Sequence, residues 1–182
     1  MKFTLFLSVV LSSISNTVLC QNIDTVHADS INIEGISYRS PLDSVEKKLG
    51  SPLSYTVYEE EEGEAEGHDK WFYFTYDSLH LAFHEWNQEV YLSSFTTSNR
   101  SYVVKLGLVS TILGASVTTL QAHFPNSFKD FVSRQKQKGS KDGNLYIKIA
   151  LVYSNAVSYD GIVNLRIVDN KISEVSASFQ PA

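Results

Sequence analysis

Two hydrophobic rhythms alternate along this chain. Leu42, Val45 and Leu49 recur at i, i+3 and i+7, and Val117, Leu120 and Phe124 repeat that spacing. Each set makes one apolar face of a short helix, so helices are predicted within 40–52 and 115–125. Pro41 suits a first helical turn and Gly50 an exit, while Pro52 and Pro125 read as helix stops. The second rhythm has period two. Leu79, Leu81 and Phe83 alternate with polar residues, as do Val163, Leu165 and Ile167. Strands are predicted at 53–60, 70–77, 78–86 and 88–97, and again at 127–136, 144–153, 160–168 and 171–179. Asn87 and Asp169-Asn170 supply turns between strands.

The pattern thus occurs twice. It predicts an α+β fold of two tandem repeats, 35–100 and 101–182, each a short helical segment followed by a four-stranded antiparallel sheet. Residues 21–34 are polar and read as a leader into the first repeat. A short helix marked by Ser40, Val45, Leu49, Gly50 and Pro52, then a four-strand meander, then the same order again, resembles the β-lactamase-inhibitor-protein-like (BLIP-like) tandem-repeat fold. Single units of this kind are similar to the small lipoprotein of the outer-membrane barrel-assembly machinery. The resemblance spans residues 31–182. It implies an exported binding module that works through an exposed sheet face and its loops. No inhibitory residue of the family can be matched here one by one, so inhibition of a β-lactamase does not follow.

The N-terminus points to export. Lys2 precedes the apolar run Phe3–Ile14, which is too short to cross a bilayer, a task that takes about 20 apolar residues. Val18 and Cys20 fit the −3 and −1 positions of a signal-peptide cut before Gln21, giving a signal peptide over 1–20 and a periplasmic or secreted product. A second cut after Val26-His27-Ala28 lies far from the apolar run. Cys20 also allows an acylated, membrane-anchored lipoprotein, although Leu19 is not the small residue that usually precedes a lipidated Cys. No later segment is apolar enough for a transmembrane span. Processing leaves 14 basic against 20 acidic residues, a net charge of −6 instead of −5. That balance disfavours nucleic acid as a partner.

Candidate chemistry is sparse. The sequence holds no G-x-S-x-G, no P-loop, no H-E-x-x-H and no G-x-G-x-x-G, so no catalytic residue and no cofactor is assigned. His80, His84 and Glu85 form the one metal-like cluster, yet two imidazoles four residues apart on a strand sit ~13 Å apart. They read as solvent-facing, and no metal is assigned. The aromatic run Trp71–Tyr76 places Phe72 and Phe74 toward the helices and Trp71 and Tyr73 on the opposite, open face, with Trp86 and Tyr91 beside them. Tyr and Trp carry much of the energy at protein interfaces.

Seven acids from Glu59 to Asp69, including Glu60, Glu62 and Glu64, make an acidic hairpin loop within eleven residues. Arg134, Lys136, Lys138 and Lys141 make a basic loop at the matching place in the second repeat. Charged hairpin tips serve solubility; opposite signs at equivalent places would also steer a dipolar partner. Calcium does not suit the acidic loop, which lacks the alternating Asp/Asn spacing. Asp24-Thr25-Val26 and Asp29-Ser30-Ile31 resemble short O-glycosylation acceptors. The expected function is an exported, non-catalytic binding module. It would engage a protein partner through Trp71, Tyr73, Trp86 and Tyr91, rimmed by Glu60, Glu62 and Glu64. The alternatives are an exported hydrolase with an unrecognised site, or a self-associating cell-envelope scaffold component.

Overall fold

A computed structural model describes residues 23–59, 70–86, 88–110, 113–138, 145–153 and 161–179. In chain order the elements are β1 (Thr25–His27), β2 (Ile31–Ile33), β3 (Ile36–Ser37), α1 (Asp43–Leu49), β4 (Ser54–Glu59), β5 (Lys70–Tyr76), β6 (Leu79–Trp86) and β7 (Glu89–Thr97). There follow β8 (Val104–Leu106), β9 (Val109–Ser110), a 3-10 helix (Val117–Ala122), α2 (Pro125–Lys138), β10 (Leu145–Val152), β11 (Ile162–Val168) and β12 (Lys171–Ser178). Eight strands form one sheet in the order β1-β10-β11-β12-β7-β6-β5-β4. All its neighbours are antiparallel except β1 and β10. A smaller sheet has the order β3-β2-β8-β9.

Two tandem repeats, each with its own four-stranded sheet, are therefore not what the chain builds. The last strands of the two meanders pair with each other, Thr97 opposite Val175 and Ser94 opposite Ser178, and fuse them into one sheet. The strand expected at 127–136 is instead part of α2. Phe131 is buried there, with Phe128 and Val132 packed against the same core, at helical spacing. Pro125, read as a stop, is the first residue of this helix, where a missing N–H removes no hydrogen bond. The helix expected just before it is a six-residue 3-10 helix instead of an α-helix. Residues 25–33, read as leader, supply β1 and β2, with Ile31 and Ile33 fully buried on either side of Asn32. Finally, β8 and β9 come from a stretch to which no element was assigned.

The core lies on one side of the large sheet. Phe72, Phe74, Leu81, Phe83, Phe95, Ala177, Val163, Leu165, Ile147 and Ile149 share that side by register. They join a single buried cluster with Ile31, Ile33 and Ile36, Val104 and Leu106 of the small sheet, Val45 of α1 and Phe131 of α2. Burying one such side chain stabilises by about 1.5–3 kcal/mol. The β11–β12 hairpin turns through Asp169 (φ 50°) and Asn170 (φ 58°), the left-handed pair that a two-residue type I′ turn requires. α2 is held at its start by Asp24. The Asp24 carboxylate accepts from the Ser127 backbone N–H at 2.8 Å and from Asn126 Nδ2 at 3.1 Å, and the Ser127 hydroxyl accepts from the Asp24 N–H at 3.0 Å. The N-terminal segment thus caps a helix a hundred residues away and lays β1 beside β10.

Candidate functional site

Because strand side chains alternate, every residue next to a core residue points to the other face of the large sheet. Register arranges that face in rows. One row crosses seven strands: Ser54, Thr75, His80, Thr96, Ser176, Asn164 and Lys148. The next carries Thr56, Tyr73, Ala82, Ser94, Ser178, Ile162 and Ala150. A third, over the first four strands, is aromatic: Tyr58, Trp71, His84 and Tyr91. Tyr146, Arg166 and Glu174 stand on the far side, Arg166 lying 3.9 Å from Glu174.

In the aromatic row the side chains brace one another. The Trp71 ring stacks on His84 at 4.1 Å between centroids, 14° from parallel, and lies 6.3 Å from Tyr73. His84 meets Tyr91 edge to face at 5.3 Å, and a hydrogen bond joins His84 Nδ1 to the Tyr91 hydroxyl. Behind Tyr91, Tyr38 packs at 5.5 Å and also touches Tyr153 and Phe179. Burial raises the Tyr38 phenol above its ordinary pKa, with neighbouring Arg39 acting in the opposite sense. Rings fixed by neighbours on both sides lose little freedom when a partner arrives.

The sequence placed Trp71 and Tyr73 opposite Phe72 and Phe74, and the structure has that alternation: Tyr73 is 42% exposed, Trp71 is half-buried, and Phe72 and Phe74 are buried. Tyr91 shares their face but is only 7% exposed, so it braces His84, on which Trp71 stacks, instead of meeting solvent. His84, expected in solvent, is buried as well, because Trp71 and Tyr91 cover it; His80 is exposed as expected. Trp86 belongs to β6, but its side chain lies outside the described residues, as do Glu60, Glu62 and Glu64. The expected basic loop is not a hairpin tip. Arg134 and Lys136 stand on α2, where Arg134 pairs with Asp130 at 2.8 Å and donates to the Tyr146 carbonyl at 3.0 Å. Lys141 lies outside the described residues.

Sequence reasoning missed the hydroxyl rows and Tyr58. Their signal was present as Ser/Thr at alternate positions, 54 and 56, 94 and 96, and 176 and 178. Between the two rows, Tyr73, Thr75, His80, Ala82, Ser94 and Thr96 line a shallow recess of about 190 Å³. A second recess of about 350 Å³, beside Tyr38, Arg39, Glu89 and Tyr91, opens at the end of the aromatic row. Among the described residues no group of three His, Cys, Asp or Glu is placed to hold a metal ion, and no helix is long and apolar enough to cross a membrane. The central rows offer hydroxyls, an imidazole and an aromatic edge but no carboxylate. No protein-family model, curated protein or solved structure matches the chain.

Proposed function

We propose that this chain is an exported, non-catalytic binding module that engages a protein partner through the open face of its eight-stranded sheet, with Tyr73 and Trp71 as anchors. One observation carries the reading. The two central rows of the open face contain a single charged side chain, Lys148, among fourteen positions. A sheet face that meets only water is dotted with Lys and Glu; this one carries short hydroxyls beside braced aromatic rings. Ser and Thr lose little side-chain entropy on burial and can each donate and accept a hydrogen bond. Tyr and Trp add apolar area with a polar tip. Export and release rest on the N-terminal pattern of Lys2, the apolar run and Cys20.

The test is affinity capture from the envelope and secreted fractions of the source cells, using the protein and two folded variants, Tyr73→Ala and Ser94→Arg. The expected result is one partner retained by the protein and lost by both variants, with unchanged circular dichroism. A partner retained equally by all three would place binding elsewhere and overturn the proposal.

A further inference from the structure

The two edges of the large sheet are treated differently. β1 is three residues long, runs straight into the 3-10 turn Ala28–Ser30, and is tied down by Asp24 against α2. β4, at the other edge, is six residues long, and every one of them is exposed. Among the described residues it pairs with β5 alone, so one side of its backbone is not engaged in the sheet ladder they form. Natural edge strands are usually protected by an inward charge, a proline or a bulge. From Leu53 to Tyr58 there is no charge and no proline. Of the nine exposed large hydrophobic side chains among the described residues, Leu53, Tyr55, Val57 and Tyr58 fall in this one stretch, Leu53 being 77% exposed.

We infer that β4 is an association edge whose occupant is the β4 of a second copy, paired antiparallel about a two-fold axis at Thr56. Three constraints select this arrangement. A two-fold that pairs two edge strands antiparallel in one continuous sheet is perpendicular to that sheet, so core-side residues meet core-side residues and register sums are even. Centring on Thr56 sets Tyr55 opposite Val57 twice and Ser54 opposite Tyr58 twice, aromatic against β-branched and hydroxyl against phenol, which are favourable cross-strand pairs.

Charge supplies the third constraint. Glu59 ends β4, and an in-register parallel pairing would set the Glu59 side chains of the two copies next to each other. The antiparallel one sends them to opposite ends. The open face continues unbroken from one copy to the next, so dimerisation would double the surface assigned above without using Tyr73.

Sedimentation analysis of the protein over a dilution series, beside Thr56→Lys, Thr56→Glu and their equimolar mixture, tests this. Thr56 is exposed, so both variants should keep the native circular dichroism spectrum. The expected result is a concentration-dependent dimer for the protein, at least a tenfold weaker association for each variant alone, and recovery in the mixture, where Lys faces Glu across the axis. A protein that is monomeric at every concentration, a dimer indifferent to T56K, or a mixture that stays monomeric would each overturn the inference. A Tyr73→Ala variant that still dimerises but captures no partner would separate this edge from the open face.

Discussion

Phe74 and Tyr73 are adjacent on β5 yet face opposite ways, so truncating each to Ala isolates what the sheet does with its two sides. A fully buried aromatic side chain covers about 150 Å² at the low end of its range. Phe74, 4% exposed, therefore loses about 140 Å² of cover, or about 3.5 kcal/mol at 25 cal/mol per Å². Its ring also packs at 4.8 Å against Tyr55 and 5.8 Å, edge to face, against Phe83, and those contacts leave a cavity that cannot fully close. The expected loss for Phe74→Ala is about 3–5 kcal/mol.

The same arithmetic for Tyr73, 42% exposed, gives about 90 Å² and an upper value near 2 kcal/mol. Ala keeps the Cβ, and the unfolded chain already covers some of this area, which brings the expectation to about 1 kcal/mol. The gap of about 2–4 kcal/mol should appear as a difference of about 1–2 M in urea midpoint at equal m-value, followed by far-ultraviolet circular dichroism. Equal midpoints for the two variants would refute the assignment of one buried and one open face, and with it the binding surface.

Two further outcomes follow from particular contacts. Asp24→Ala removes both acceptor bonds at the start of α2 and should cost about 1–2 kcal/mol in a thermal melt, with Asp24→Asn costing less; a change below a few tenths would show that β1 is not tied to α2 through this residue. Burial first, and Glu46 and Tyr102 after it, hold the Tyr76 phenol above its ordinary pKa of 10.0. The unfolded phenol then ionises first, so the stability that neutral Tyr76 contributes is intact below pH 10.0 and is lost as pH rises from there toward the folded value. Tyr76→Phe forfeits the 3.1 Å bond to the Gly50 carbonyl but should decline less steeply in alkali, and parallel alkaline denaturation curves for the two proteins would contradict this.

The alternating patterns were sufficient for strands β4 to β7 and β10 to β12, because a two-residue period and turn residues such as Asp169-Asn170 are local properties. They also separated Phe72 and Phe74 from Trp71 and Tyr73, since a strand has only two sides. What they could not supply was partnership. Nothing local makes β7 choose β12, brings the polar stretch around Asp24 to cap α2, or inserts β1 parallel to β10; those pairings answer to the shape of the whole core. Pro125 shows the same limit on a smaller scale. A proline is compatible with the residue after a helix and with the first residue of one, and only the burial of Phe131 against the sheet selects the second. His84 is polar and alternates onto an open face, yet Trp71 and Tyr91 close over it from the neighbouring strands, a consequence of register between residues far apart in sequence. The sequence by itself determined which residues could share a face. The tertiary structure decided which faces would be covered, because burial is set by neighbours that no local period encodes.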